Sequence, residues 1–214
     1  MRTLNMIDKL INEIDQALRT VYTLAPTTER LNPSADIKME CELSEEEHKL
    51  SSKLMRINHA GEVSAQGLYR GQALTAKRDD IREQMERSAM EENDHLNWCE
   101  TRLDELNAHK SYFGPFWYMG SFTLGALAGL VGDKWSLGFV KETEDQVVRH
   151  LDEHIDKISS NDTPSLAILK QMKIDEAHHA DIAVEAGAEK LPLPIRKIFM
   201  PLTSKVMTKI SARI

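Results

Sequence analysis

Two short stretches of this 214-residue chain share one pattern, Glu92-Asn-Asp-His95 and Glu176-Ala-His-His179, and each is preceded by a further acid, Glu91 or Asp175. On a helix, residues i and i+3 share a face, so each stretch can offer a carboxylate and an imidazole to one point. Glu62 stands 30 residues before Glu92, and Glu144 stands 32 residues before Glu176. The chain therefore reads as two helix pairs, each supplying one Glu and one Glu-x-x-His. Four anionic oxygen donors balance two divalent cations, and the set is rich in oxygen and poor in nitrogen. That suits iron or manganese better than zinc, whose structural sites favour sulfur and nitrogen. In this reading Glu92 and Glu176 bridge two ions, Glu62 and Glu144 are mainly terminal, and His95 and His179 bind one ion each.

Glu-x-x-His alone is a weak signal, and a single such histidine is ordinarily a helix-surface residue. Two further matches are discounted. Glu45-x-x-His48 lies in an acidic run at a helix start, where acids stabilise the helix dipole, and Asp175-x-x-His178 is one residue out of register. The four glutamates differ because each interrupts an apolar stripe. Glu62 lies between Leu54, Met55, Asn58 and Ala65, Tyr69; Glu92 and His95 between Met85, Ser88 and Cys99, Leu103. Glu144 lies between Leu137, Val140 and Val147, Leu151; Glu176 and His179 between Leu169, Met172 and Ala183. A buried ionised carboxylate is costly unless paired or metal-bound. Three neighbours have weaker claims. His59 can steady a ligand by hydrogen bond or sit at the surface, His150 lines a channel only if its helix packs that way, and Cys99 reads as a small core residue.

The elements that must position these groups are helices. The prolines stand at 26, 33, 115, 164, 192, 194 and 201, six of ten glycines lie between 114 and 138, and alternating strand patterns are absent. The fold class is all-α, a four-helix bundle with an added apolar segment and terminal amphipathic helices. Periodicity predicts an amphipathic helix over 3–23, beginning near Leu4, then a linker over 24–43. Ser44 with Glu47 is a capping box opening a helix to about 77. Further helices are expected over 81–109, 134–159 and 164–186, the last with Thr163 as N-cap, Pro164 in its first turn and Gly187 at its end. The organisation is residues 1–43 as helix and linker, 44–189 as bundle, and 190–214 as a basic C-terminal helix.

Charge divides the chain. Overall there are 34 acidic and 27 basic side chains, a net −7, but 190–214 holds six bases and no acid, leaving −13 on 1–189. An acidic body argues against a nucleic-acid partner. Hydrophobic residues at 41% and charged residues at 29% fit a folded protein. Cys41 and Cys99 are far apart, which points to no disulfide framework and a reducing compartment. The acids within the apolar N-terminal stretch argue against a secretory signal.

Residues 111–132 are 22 in a row without charge, but Pro115 and five glycines interrupt them. Their length matches a membrane span, yet spanning would put the second and third bundle helices on opposite sides and separate the ligands. We expect a monotopic segment reaching the acyl region, with Trp117 and Tyr118 as an interfacial belt and Ser121, Gly125 and Gly129 as a close-packing face. In the tail, Ile195, Ile198, Phe199, Leu202, Val206 and Ile210 recur at helical spacing with Arg196, Lys197, Lys205, Lys209 and Arg213 on other faces. That is a basic amphipathic helix suited to an anionic leaflet; the alternatives are a buried core helix for 111–132 and a tail packed on the acidic body.

The strings Arg56-Ile-Asn-His-Ala-Gly-Glu62, Tyr69-x-Gly71-Gln72, Glu92-Asn-Asp-His95-Leu96, Glu144 and Asp175-Glu176-x-x-His179-x-Asp181, with the glycine-rich segment, resemble the demethoxyubiquinol hydroxylase family of the ferritin-like di-iron carboxylate superfamily. The resemblance covers roughly 49–212. It implies an O2-dependent monooxygenase with two Fe ions on Glu62, Glu92, His95, Glu144, Glu176 and His179. It also implies an external reductant, a polyprenylated demethoxybenzoquinol substrate in late ubiquinone biosynthesis, and a peripheral position on the cytoplasmic face of the cell membrane through 111–132 and 190–214. Partner proteins of that biosynthesis and a homo-oligomer are compatible with it. The alternative of the same fold is an iron-handling or peroxide-reducing protein, which has no need of the apolar segment.

Overall fold

The computed structural model describes residues 6–28, 30–39 and 41–214, and every regular element among them is helical. The elements are α1 (Met6–Tyr22), α2 (Glu45–Thr75), α3 (Asp79–Glu105), α4 (Gly114–Val131), α5 (Asp133–Lys157) and α6 (Thr163–Glu185), then a π-helical stretch (Ile195–Phe199) running into α7 (Met200–Ser211). The expected first helix is α1; positions 3–5, including Leu4, lie outside the described residues. Helices α2, α3, α5 and α6 form the bundle, with α2 paired to α3 and α5 to α6.

Local chemistry sets the ends. The Glu47 amide donates to Ser44 Oγ at 3.3 Å while the Ser44 amide donates to a Glu47 carboxylate oxygen at 2.8 Å, so the expected capping box forms. The start of α6 differs from expectation. Asp162, not Thr163, caps it, accepting from the Ser165 amide at 3.1 Å. Arg102 on α3 explains the choice: its guanidinium reaches the same Asp162 oxygen at 2.8 Å and Ser165 Oγ at 2.9 Å, so the buried cap also joins α3 to α6. Helix α3 stops at Glu105, short of the expected 109, because Asn107 takes the left-handed conformation (φ 47°) and Ala108 N–H turns back to Leu103 O at 2.8 Å. Gly187 (φ 99°) ends α6 in the same way.

Two apolar clusters flank the layer that holds the expected ligands. Met55, Trp98, Leu103, Leu151, Leu169 and Met172 pack on one side of it. Tyr69, Ile81, Met85, Leu137, Val140 and Ala183 pack on the other. The stripes inferred from spacing are thus the inner faces, and the polar layer between them is walled from water.

Helix α4 lies along α2 at near backbone contact. A Cβ on Gly125 would sit 2.1 Å from Leu68 O, and one on Gly129 would sit 2.1 Å from Thr75 Oγ1. The facing groove is made by Gly67 and Gly71 of α2, whose Cβ atoms would meet Tyr118 O at 2.4 Å and Phe122 O at 2.1 Å. So the small-residue face packs inward, against α2. The opposite face is exposed, with Phe116, Met119, Leu127, Leu130 and Val131 each more than half accessible. The expected Trp117–Tyr118 belt is corrected: Tyr118 is buried in a core cluster against Val63 and Leu96, and Trp117 is half-buried. Burying the glycine face of α4 carries Tyr118 in with it, leaving Tyr112 and Phe116 as the exposed aromatics of the segment. Among the described residues, no helix is long and apolar enough to cross a membrane.

The tail is helical but not one regular α-helix, since the π-helical stretch precedes Pro201, which has no N–H to donate. Ile198, Phe199, Leu202 and Val206 are exposed. Arg196 is drawn to the body, donating to a Glu142 oxygen at 2.7 Å, whereas Lys197, Lys205, Lys209 and Arg213 are exposed and make no ion pair with another described residue. The segment 24–43 is irregular, as expected of a linker, but it is not a free tether. The Asn97 side chain donates to Ala25 O at 3.0 Å, and Ala25 N–H donates to Glu100 at 3.2 Å.

Candidate metal centre

All six expected ligands project into the layer between the apolar clusters, and none is more than 4% exposed. Glu62 comes from α2, Glu92 and His95 from α3, Glu144 from α5, and Glu176 and His179 from α6. His95 Nδ1 lies 2.9 Å from Glu92 Oε2, 3.1 Å from Glu176 Oε1 and 3.6 Å from Glu62 Oε2. His179 Nδ1 lies 3.1 Å from Glu92 Oε1 and 3.4 Å from Glu176 Oε2. Glu92 and Glu176 therefore each present one oxygen to each imidazole, the disposition of bridging groups. Glu62 belongs to the His95 half, and one donor atom from each of Glu62, Glu92, His95 and Glu176 falls within a 4.8 Å group. His179 is outside that group, and so is Glu144. Glu144 feels the charges of Glu176, Glu92 and His179, and its Oε1 accepts from the Tyr69 hydroxyl at 2.7 Å.

The donor set fits a pair of cations. Glu92 Oε1, Glu176 Oε2 and His179 Nδ1 are buried and make no hydrogen bond of acceptable geometry although they converge. The ion pairs among them do not replace aligned hydrogen bonds, which cost about 1–3 kcal/mol each when unmade, and a cation between them would take up all three atoms. Burial first, and then repulsion among the carboxylates, pushes Glu62 and Glu144 well above the ordinary carboxyl range. Burial opposes charge on Glu92 and on the two imidazoles as well, but there the ion pairs win, so Glu92 is held low and both histidines high. Without cations, retained protons balance the cluster; binding cations would release them.

Outward from the layer, the two acids that precede the Glu-x-x-His stretches cross over. Asp175 of α6 accepts from His95 Nε2 at 2.9 Å, and Glu91 of α3 accepts from His179 Nε2 at 2.9 Å. With Nε2 holding the proton, Nδ1 is left as the inward donor. The spacing showed these acids but not their crossing, which needs the α3–α6 contact. The Tyr69 hydroxyl was likewise hidden in an apolar stripe. His178 is exposed and Glu45 pairs with Lys49 on the surface, so neither discounted match reaches the centre. His59 does not steady a ligand: it turns from the layer to Glu100, 3.2 Å away, which Lys110 also binds at 2.6 Å. Cys99 is a fully buried core residue.

A cavity of about 630 Å³ opens beside Glu62. Its walls come from α2, α4, α5 and α7, and they are mainly apolar, with Leu68, Trp117, Leu124, Phe139, Val147 and Val206 among them. His150 lines it, as its helix position allowed. His154, which periodicity did not single out, lines it too, with Nδ1 2.9 Å from Asn58 Oδ1, while Asn58 Nδ2 is buried without a partner. Gly61 borders the cavity, and a Cβ there would meet nothing within 4 Å.

The motif strings now have separate physical roles. Arg56 donates to His109 O at 2.8 Å and holds the connection that follows α3; Gly71 admits α4; Gln72 donates to Ser136 O at 2.9 Å and ties α2 to α5. Comparison with known families agrees with this arrangement: the family described as ubiquinone biosynthesis protein COQ7 matches residues 49–211. The chain belongs to this family. Among curated COQ7-family relatives, a 3-demethoxyubiquinol 3-hydroxylase of Nitrosococcus oceani is 59% identical over 97% of this chain and 96% of its own length. Proteins of the same name from Chromohalobacter salexigens and Acinetobacter baumannii are 51% and 50% identical, over 97% and 99% of this chain and 97% and 99% of their own lengths. The matched family region begins after the segment 24–43, so nothing in that match assigns a role to it.

Proposed function

We propose that this protein is a 3-demethoxyubiquinol hydroxylase of ubiquinone biosynthesis, working as an O2-dependent di-iron monooxygenase at a membrane surface. The observation that carries the reading is the apolar cavity ending at Glu62, beside exposed apolar faces of α4 and α7. An iron-handling protein needs no such cavity. A polyprenylated quinol fits one: the tail stays apolar while the ring reaches the buried polar layer. In the overall reaction one oxygen atom enters a ring C–H bond and the other leaves as water, with two electrons and two protons from an external reductant.

Glu62, Glu92, His95, Glu144, Glu176 and His179 would hold the two iron ions, which when bound supply the redox chemistry that O2 requires. The chain's own groups prepare the layer. Asp175 and Glu91 keep the Nε2 protons of His95 and His179, and Tyr69 fixes one oxygen of Glu144. The two apolar clusters shield the layer from water. Asn58, Gln146, His150 and His154 are among the polar residues of the mainly apolar cavity wall, where a quinol hydroxyl can be oriented.

The membrane placement is peripheral, on the cytoplasmic face of the cell membrane. The exposed residues of α4 and α7 would enter the acyl region, and Lys197, Lys205, Lys209 and Arg213 would meet anionic headgroups. The test is anaerobic reconstitution with iron(II), followed by O2 and a reductant in the presence of a demethoxyquinol. Two iron ions per chain and reductant-dependent hydroxylation are expected; fewer than one iron per chain would reject the metal centre. Gly61→Leu, which fills open space in the cavity, should retain iron while reducing quinol turnover at least tenfold; unchanged turnover would reject the cavity as the substrate site.

A further inference from the structure

The segment between α1 and α2 reaches the metal layer through a chain of polar contacts. Asp94, on α3 and fully buried, accepts the Thr28 amide at 2.7 Å on Oδ1 and the Thr28 hydroxyl at 2.5 Å on Oδ2. This latch sets down Arg30, whose guanidinium carbon lies 5.0 Å from the Trp98 ring centre. Arg30 Nη2 donates to Asp175 Oδ2, the same oxygen that accepts from His95 Nε2. Asp175 Oδ1 is held by the Gln171 side chain at 2.9 Å.

The other imidazole is supported differently. Glu91, which binds His179, is met by Arg87 one turn before it on the same helix, an exposed contact at 2.7 Å. Both histidines thus lean on a carboxylate backed by an arginine. For His179 that arginine lies in the bundle, and for His95 it comes from outside it.

We propose that Arg30 is a positioning residue for the His95 half of the metal centre, acting through Asp175, with Thr28 and Asp94 as the latch that holds it in place. The proposal rests on the metal-centre reading above. Three features carry it. The pair joins residues 145 apart in sequence. Arg30 side-chain exposure is only 34%, so the guanidinium is largely committed to its partners. Among the described residues, Asp175 pairs with no cation besides Arg30 and His95. Without Arg30, Asp175 keeps only Gln171 and His95 and is freer to turn to solvent, which would weaken the bond that fixes the His95 ring. Groups that orient a metal-bound histidine in this way change metal affinity by about 10–100-fold when removed.

The experiment titrates the full-length, metal-free chain with iron(II) under anaerobic conditions. Wild type should fill two sites. Arg30→Ala should weaken one site at least tenfold and leave the other within twofold, and Arg30→Lys should restore part of the loss, because it returns charge without the planar fork. Thr28→Val, which removes one latch bond but keeps Arg30, should weaken the same site by less. The mixed-valence centre of Arg30→Ala should also give an altered EPR signal, which a loss of general stability would not produce. Helix content by circular dichroism confirms that each variant is folded; if Arg30→Ala is not, Arg30→Lys and Thr28→Val carry the test. Two unchanged sites in the folded variants, or equal weakening of both, would overturn the proposal. Failure of wild type to bind two ions would instead overturn the metal-centre reading.

Discussion

Replacing Gly71 with alanine adds one methyl group at the close backbone crossing of α2 and α4. The new Cβ would lie 2.1 Å from Phe122 O, 2.8 Å from Ala126 N and 3.0 Å from Phe122 C. All three are backbone atoms of α4, so no side-chain rotation relieves the clash, and α4 must move away by about 1 Å to restore ordinary contact. Overpacking of this kind costs about 1–3 kcal/mol. The consequence for function is selective. Helix α4 supplies no metal ligand but forms a wall of the cavity with Trp117 and Leu124. Iron stoichiometry should therefore stay at two per chain. Quinol hydroxylation should fall about tenfold or more, since a misplacement near 1 Å commonly costs far more than that in rate. Thermal unfolding of the metal-free chain should drop by a few degrees, roughly 2–4 °C per kcal/mol for a chain of this size. The assays are iron analysis, product detection from a demethoxyquinol, and a melting curve. Full activity with an unchanged melting point would refute the argument that the glycine stripe sets the α2–α4 distance. Loss of iron together with activity would refute the separation of cavity wall from metal layer.

Other outcomes follow from the same geometry. Glu144→Ala should abolish turnover and lower iron content while helicity is retained; retained activity would remove Glu144 from the ligand set. Deleting 190–214 should abolish flotation with anionic liposomes, and unchanged flotation would sink the lipid role of the tail. His154 is held at about pKa 4, chiefly by burial and then by His150 and Lys157, below its ordinary 6.5. The unfolded chain binds that proton first, so stability is intact above pH 6.5 and falls toward pH 4, by about 3 kcal/mol for this group. His154→Phe should flatten this acid-side loss relative to wild type in denaturant titrations at pH 7.5 and 5, and parallel curves would count against it.

The sequence marked out the candidate ligands because their signal is local. A glutamate that breaks an apolar stripe is visible in one helix at a time; two of the four helices add a histidine one turn on, and together the four define the layer. It also determined the fold class, since long proline-free periodic segments leave no strands, and the Ser44 capping box, whose partners are three residues apart. The direction of α4's small face was legible, but its partner stripe on α2 was not, because Gly67 and Gly71 mean nothing until two backbones cross. That crossing also decided that Tyr118 is buried and not at a membrane interface. Asp162 replaced Thr163 as the cap because Arg102, 60 residues away, needed the same carboxylate. The crossing of Asp175 to His95 and Glu91 to His179, the turning of His59 to Glu100, and the reach of Arg30 into Asp175 depend on packing between helices distant in sequence. Spacing specifies which face a residue occupies. Only the tertiary structure specifies what that face meets.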